Sequence, residues 1–483
     1  MVLDADAAYL AIKARDARFD GRLFVGVTST GVYCRPVCRV RTPRRENCRF
    51  FDTRAQAEAA AFRPCLKCRP EIAPGLSSMD SSQALADTAA RWIEHAVHSG
   101  EATAIPAIAA RLGVTDRHLR RIFQATHGVS PHDYLTTQRL LLAKQLLTDT
   151  DHSVTQVAMA SGFDSLRRFN AAFAERYRLN PTQLRRARGG KPVPEAPLRL
   201  AYRPPYDVEA VLGFFAQRVV RGIEMVDGLT LRRTLGWPHQ GRRLNGWLSG
   251  RFVPERHEVH VIASASLAPV LGAVMQAVRH GLDLDADPAL IDPVLARVPG
   301  PQRAGMRLPG GMDGFELAVR VILGQQVTVK AARTLVQRLV DRFGEPIETP
   351  YPDLTHVFPT AETLAGADPE VIGKLGIVRQ RVKALQALAT ELAEGRLALH
   401  RGAPIDATLQ ALRALPGIGD WTAQVIAMRA LAWPDAWPAS DIGLMNALGS
   451  RDVKHITQLA EDWRPWRAYA VMKLWHHLEH PTE

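Results

Sequence analysis

No cysteine follows Cys68 in this chain of 483 residues, and all five cysteines lie between Cys34 and Cys68. That excludes a disulfide framework spread over the chain, and it excludes a cysteine-ligated iron–sulfur cluster in the C-terminal half. The one uncharged run as long as a membrane-spanning helix needs, about 18 residues, is Val259–Val278, and His260, Ser264, Ser266, Pro269 and Gln276 interrupt its apolar character. Asp4, Asp6, Lys13, Arg15 and Asp16 interrupt any apolar leader behind Met1. The expectation is a cytoplasmic protein with no membrane partner. Excess negative charge is missing too: the net charge is +12, and residues 1–200 hold 30 Lys+Arg against 19 Asp+Glu, which leaves +1 for the rest. The N-terminal part therefore attracts nucleic acid at long range, while any grip by the remainder depends on local groups. With 46% hydrophobic residues, the length fits roughly three or four domains of about 100–200 residues.

The cysteines that are present form two knuckles, Cys34-Arg-Pro-Val-Cys38 and Cys65-Leu-Lys-Cys68. Two short turns that each offer two thiolates are what one tetrahedral Zn²⁺ needs. Spacing alone favours a structural staple in a domain too small to hold itself together. Cys48 is the odd one out and reads as a small buried residue. Beyond the knuckles, Thr30-Gly-Val-Tyr-Cys34-Arg-Pro-Val-Cys38, Arg45-Glu-Asn47 and Phe62-Arg-Pro-Cys65-Leu-Lys-Cys68-Arg-Pro70 resemble the zinc domain of the Ada family of adaptive-response regulators. The resemblance implies that Cys34 accepts a methyl group from a DNA methylphosphotriester, with Cys38, Cys65 and Cys68 as co-ligands of a single Zn²⁺. The chemistry is sound, because zinc keeps a thiol ionised and the thiolate is the nucleophile. Arg35, Arg39 and Arg45 crowd the same segment and are candidate phosphate contacts.

Residues 80–188 read as helical. Ile105 to Leu112, Gly113-Val114 and Thr115 to Thr126 give helix, turn, helix, with Ile108, Leu112, Leu119, Ile122 and Phe123 as the apolar stripe. The order repeats from Val154 through Gly162-Phe163 to Ser165–Tyr177, with Pro131 to Leu147 as a linking helix. Paired units of this kind, with Gly-Phe-Asp164-Ser and Pro181-Thr-Gln-Leu, resemble the AraC-type DNA-binding domain. By that resemblance Arg117, Arg120, Arg121, Arg167 and Asn170 face the major groove, where arginine suits guanine.

Glycines and prolines over 189–197 mark a linker. Residues 198–285 mix strand signals, at Gly228–Leu235 and Glu258–Ile262, with a helix over Val208–Val220. From 286 to 483 helices dominate. Leu415-Pro-Gly417-Ile418-Gly419 lets a helix N-terminus approach a phosphate, although a Gly-x-Gly turn between helices is also plain structure. Pro438-Ala-Ser-Asp441 then sets a carboxylate at the start of a further helix.

Hairpin and aspartate together, with Tyr202-Arg-Pro-Pro-Tyr-Asp207, Leu212-Gly-Phe214 and Trp463-Arg-Pro-Trp-Arg467-Ala-Tyr-Ala470, resemble the AlkA-type helix-hairpin-helix glycosylases over more than half the chain. The resemblance implies Asp441 as the catalytic carboxylate, Trp421, Trp475 and Phe214 as walls for an extruded cationic base, and Gly417, Ile418 and Gly419 as the DNA clamp. It places Gln326 where the family's wedge residue is usually leucine, and Val425 and His476 where tyrosines are common. A monovalent cation at the hairpin and contact with RNA polymerase are further partners it suggests. Trp421 stands where glycosylase/lyases carry a Schiff-base lysine, so a monofunctional enzyme is expected. No Pro-Cys-His-Arg segment of the alkylguanine methyltransferases is present.

The expected fold is multidomain and mainly α with α/β parts: a zinc-bound α/β domain over 1–78, an all-α double helix-turn-helix domain over 80–188, a small α/β domain over 198–285 and an all-α glycosylase domain over 286–483. The expected function is a response to DNA alkylation, acting on double-stranded DNA. It combines a methylphosphotriester-sensing regulator of promoters, with single-turnover methyl transfer to cysteine, and a DNA-3-methyladenine glycosylase. Two rivals remain open: a regulator whose glycosylase domain only binds DNA, and a glycosylase whose zinc module only tethers it.

Overall fold

The computed structural model describes residues 5–15, 23–72, 78–99, 104–149, 153–187, 197–239 and 241–479. They divide into two compact units, Met1–Ile93 with Thr103–Leu135 and Glu94–Ala102 with Thr136–Glu483, so the partition runs through the helix Pro131–Asp149. Of the expected linker only Pro197 lies among the described residues.

In the first unit, strands Phe24–Val27, Val32–Cys34, Cys48–Phe51 and Arg63–Pro64 form one sheet in the order third, first, second, fourth. The second and fourth strands run parallel, with Val32 opposite Arg63 and Tyr33 opposite Pro64. The next residue of each strand is a cysteine, so this register brings the two knuckles side by side. The core here is small: Ala8, Ala11, Ile12, Leu23 and Val25 around the cysteines. A helix-turn-helix follows, Ile105–Arg111 and Asp116–His127, joined through Gly113 at φ +68°. Thr115, read as the first residue of the second helix, is its cap instead, its hydroxyl accepting from the His118 N–H.

In the second unit, Val154–Ala160 and Leu166–Tyr177 repeat that arrangement, and Ser165 likewise caps the second helix. Five antiparallel strands, Leu198–Ala201, Glu224–Asp227, Thr230–His239, Arg242–Val253 and Glu258–Ala263, form a sheet in the order first, fifth, fourth, third, second. The helix expected over Val208–Val220 ends at Gln217. Val220 instead turns into the core, its carbonyl receiving the Ile223 and Glu224 N–H groups that open the next strand.

From Pro288 on, helices dominate as expected, apart from a short ribbon pairing Glu345–Pro346 with His356–Val357. The helix Gly314–Leu323 is started by Asp313, whose Oδ1 accepts from the Phe315 and Glu316 N–H groups at 2.8 and 3.0 Å. It buries Leu317, Val319, Ile322 and Leu323 in a core shared with the helices Val329–Phe343, Arg379–Ala393 and Asp420–Ala430. No helix among the described residues is long and apolar enough to cross a membrane.

Candidate active site and metal centre

In the hairpin between Ile405–Ala414 and Asp420–Ala430 only the first of the two glycines is required by the backbone. Gly417 has φ +77°, and a Cβ there would lie 3.1 Å from that of Ala384. Gly419 has open space around it, so nothing obstructs the N–H groups of the following helix turn. Ile418, between them, is buried in the core, so only its backbone is available to a ligand. Gln325 ties the turn after Gly314–Leu323 to this hairpin, its Nε2 donating to the Gly417 carbonyl and to the Thr422 hydroxyl, both at 2.9 Å. Arg381 donates to the Gln325 carbonyl. The next residue, Gln326, is exposed and in the left-handed region at φ +53°.

Asp441 caps Ile442–Ala447 and is only 8% exposed. Its Oδ1 accepts from the Leu444 N–H and from Trp475 Nε1, both at 2.9 Å, and its Oδ2 accepts from Trp421 Nε1 at 2.7 Å. The two tryptophans thus orient the carboxylate as well as flanking it. Gly443 is required by this approach, since a Cβ would stand 2.9 Å from Asp441 Oδ1 and 3.2 Å from the Trp475 ring.

A cavity of about 380 Å³ opens beside this carboxylate, lined by Asp441, Trp421, Trp475, Phe214, Val425 and Arg429 among others. Its wall includes a buried ion network: Arg233 reaches Glu316 at 2.5 Å and Glu224 at 3.6 Å, and Arg320 reaches Glu224 at 2.8 Å and Glu316 at 2.7 Å. Burial opposes ionisation of Glu316, but Arg233 and Arg320 outweigh it and hold its pKa below the ordinary carboxylate value. Phe214 carries two guanidinium groups on its ring, Arg218 at 3.7 Å and Arg429 at 4.7 Å. His476 does not belong to this cavity: it lines a separate one of about 170 Å³ that shares only Phe214 and Trp475 with it.

In the first unit the Cys34, Cys38, Cys65 and Cys68 sulfurs lie within 4.8 Å of one another. Tetrahedral Zn²⁺ with bonds of about 2.3 Å separates its sulfurs by about 3.8 Å, so the cluster fits that ion. Backbone bonds shape both turns, Cys38 N–H to the Arg35 carbonyl at 3.1 Å and Arg69 N–H to the Cys65 carbonyl at 2.9 Å. Hydrogen bonds from Cys34 and then Cys68 drive the Cys38 thiol down to about 2, while Cys34 is driven up, first by its hydrogen bond with Cys38. Cys48 stands apart, its thiol donating to the Arg44 carbonyl at 3.2 Å.

The arginines sort differently from expectation. Arg35 is 1% exposed, with Nη1 directed at the Cys68 carbonyl at 3.4 Å, so it faces the cysteine cluster and cannot reach a phosphate outside. Arg45 is half-buried, paired with Asp6 at 3.0 Å and packed on Phe50. Arg39 is exposed and donates to the Thr126 hydroxyl at 3.4 Å. On the helix-turn-helix units, Arg117, Arg120, Arg121, Arg167 and Asn170 are all exposed, although Arg120 pairs with Asp116 at 2.8 Å and Arg121 contacts His118 at 3.2 Å.

Four family models match this chain: the metal binding domain of Ada over residues 7–71, a helix-turn-helix domain over 108–187, the AlkA N-terminal domain over 197–313 and the HhH-GPD superfamily base excision DNA repair protein over 319–463. A probable bifunctional transcriptional activator/DNA repair enzyme AlkA of Mycobacterium tuberculosis is 39% identical over 99% of this chain and 97% of its own length. The chain belongs to this bifunctional AlkA family. DNA-3-methyladenine glycosylase 2 of Escherichia coli is 34% identical over 57% of this chain and 96% of its own. The bifunctional transcriptional activator/DNA repair enzyme Ada of the same organism is 33% identical over 33% of this chain and 43% of its own.

Within this bifunctional AlkA chain, sequence reasoning missed Gln325, Gly443, Arg218 and Arg429. Arg429 had a usable signal: it follows Trp421 and Val425 at intervals of four, on one helix face. Gln325 and Gly443 had none, since their partners Gly417 and Trp475 are distant in sequence.

Proposed function

We propose that the C-terminal domains excise alkylated bases from double-stranded DNA as a DNA-3-methyladenine glycosylase, and that the N-terminal domains sense methylphosphotriesters and regulate promoters. The observation that carries the first part is a carboxylate held by two indole N–H groups and one backbone N–H at the mouth of a base-sized cavity. The extruded base enters that cavity beside Trp421, Trp475 and Phe214. As the glycosidic bond breaks, its electron pair moves into the base and discharges the positive ring, while an oxocarbenium charge grows on the sugar. Asp441 stabilises that charge and orients the water whose oxygen bonds to C1′, a contribution of roughly 3–4 kcal/mol for one well-placed group. Gly417 to Gly419 hold the DNA backbone, the hairpin would also hold a monovalent cation that screens the phosphate, and Gln326 occupies the space the base leaves. Trp421 is no amine, so no Schiff base forms and the strand is not cut.

In the N-terminal part, Cys38, Cys65 and Cys68 hold Zn²⁺ with Cys34. With the ion bound, all four sulfurs are thiolates at neutral pH. The Cys34 sulfur attacks the methyl carbon of the phosphotriester; the S–C bond forms, the C–O bond breaks, and the electron pair returns to the phosphate oxygen. Four thiolates on Zn²⁺ carry a formal −2; the methylated centre carries −1, repels DNA less and binds it more tightly. The choice of Cys34 rests on the family pattern, because Cys34, Cys38 and Cys65 are 5%, 6% and 7% exposed and exposure does not separate them. Arg39 and the exposed residues of the second helices supply DNA contacts, and RNA polymerase is the partner of an activator.

Release of free bases from methylated duplex DNA, wild type beside Asp441→Asn, tests the enzyme. Release of 3-methyladenine that falls at least 100-fold in the variant is expected. No release from folded wild type leaves a DNA-binding regulator. Mass spectrometry after exposure to methylated DNA tests the sensor: one methyl group on Cys34 is expected, and none leaves the zinc as a staple.

A further inference from the structure

The helix Asp420–Ala430 presents Trp421, Val425 and Arg429 to the same cavity. Intervals of four stack them in a row, and eight residues span about 12 Å of helix axis, with long side chains leaning back toward the N-terminus. Trp421 stands at Asp441, so Arg429 stands beyond the inner end of that row, on the far side of small Val425.

Arg429 is held firmly and left unneutralised. Its Nε donates to the Pro309 carbonyl at 2.8 Å, and its own carbonyl receives the Gly311 N–H at 2.9 Å and contacts His280 Nε2 at 3.0 Å. Among the described residues no carboxylate lies within ion-pair distance of it, and neither Nη nitrogen has a protein acceptor. The charges that act on it most are cations, Arg218 and Arg320; burial first, then these two, push its guanidinium down to about 9. A half-buried cation without a counterion is destabilising, and an apolar side chain would pack on Phe214 without that penalty. What the guanidinium adds is two N–H-bearing nitrogens with no protein acceptor, on a cavity wall where Arg233 and Arg320 are already engaged by Glu224 and Glu316.

We propose that Arg429 reads the edge of the extruded base farthest from the sugar. Its Nη nitrogens donate to a carbonyl oxygen there, so that alkylated guanine, with O6, is favoured over alkylated adenine, with an amino group in the same place. This rests on the glycosylase reading above and adds the base preference to it. The same donation assists departure, because the electron pair of the breaking bond flows toward that edge. An amino group offers Arg429 only hydrogens, and a site built to donate discriminates against a base that cannot accept.

The test is parallel release of 7-methylguanine and 3-methyladenine from one methylated duplex by the full chain and by Arg429→Met. The ratio of 7-methylguanine to 3-methyladenine release is expected to fall roughly 10- to 100-fold in the variant, the usual worth of hydrogen bonds from a charged donor. Guanidinium ion added to Arg429→Ala is expected to restore that ratio in part, which a packing role would not allow. An unchanged ratio, with both bases released alike, overturns the proposal. Release of neither base by the wild type overturns the glycosylase reading itself, and the proposal with it.

Discussion

In the cysteine cluster, four ligand atoms come from two stretches, Cys34–Cys38 and Cys65–Cys68, and one parallel pair of strands joins them. In the base cavity, Phe214, Arg429, Asp441 and Trp475 come from separate segments, and each is fixed by partners that are distant in sequence. The two regions also differ in what holds them. Around the cysteines the apolar core is five aliphatic residues with a second small cluster of Phe24, Tyr33, Ala57 and Phe62, whereas the cavity is backed by a large core and by the ion network of Arg233, Glu316, Glu224 and Arg320. A site can therefore be stabilised by its ligand or by its scaffold, and the remedy that breaks one should spare the other.

Removing the metal gives the largest expected effect. Structural zinc contributes on the order of 10 kcal/mol of folding energy to small domains, more than a core of this size supplies. A strong chelator, or Cys65→Ala, should abolish protection of the amides of residues 23–72 against hydrogen exchange. Base release from methylated DNA should continue. Loss of base release together with that protection would show that the two regions are not independent.

Glu316→Gln makes the reverse cut. It leaves Arg233 and Arg320 facing only Glu224 inside the protein, and breaking a buried pair costs about 3–5 kcal/mol. The melting temperature of the second unit should drop by several degrees, with the zinc content unchanged. Equal stability would mean that water replaces the lost charge.

The difference between the regions explains what could be read from the sequence. The knuckles and the glycine at 417 are local requirements, and each leaves a residue type at a fixed spacing; Thr115 and Ser165 are equally local signals, yet the expected helices begin on them instead of being capped by them. Asp441 was legible because the hairpin precedes it at a family distance. The indole N–H bonds to Asp441, the lock of Gln325 on Gly417 and the place of His476 outside the base cavity depend on how helices pack, which no local pattern records. Arg35 was misread for the same reason: on a basic loop it resembles a phosphate contact, and only the fold turns it inward.

Trp475→Phe examines the scaffold more finely. It retains an aromatic wall but removes the N–H on Asp441 Oδ1, leaving the Leu444 N–H at 2.9 Å and the Trp421 N–H on the other oxygen. A hydrogen bond to a charged group is worth about 1.5–3 kcal/mol, so kcat should fall roughly 10- to 100-fold with little change in KM. A rise in KM alone would assign Trp475 to base binding only.

The smallest effect is expected to be a gain. Gly213 lies inside the helix Val208–Gln217 beside Phe214, and a Cβ there would meet nothing within 4 Å. Neither a tight approach nor a left-handed backbone requires glycine, unlike at Gly417 or Gly443. Glycine in a helix interior is destabilising by about 0.5–1 kcal/mol relative to alanine, so Gly213→Ala should raise the unfolding free energy of the second unit by that amount. The added methyl group points toward the 170 Å³ cavity, which Gly213 lines and which the base cavity meets only through Phe214 and Trp475. Base release should therefore be unaltered if the Phe214–Trp475 wall is rigid. A stabilised variant with slower release would show that this wall must move into the neighbouring space during turnover, so that the scaffold around the carboxylate is less fixed than the hydrogen bonds of Asp441 suggest.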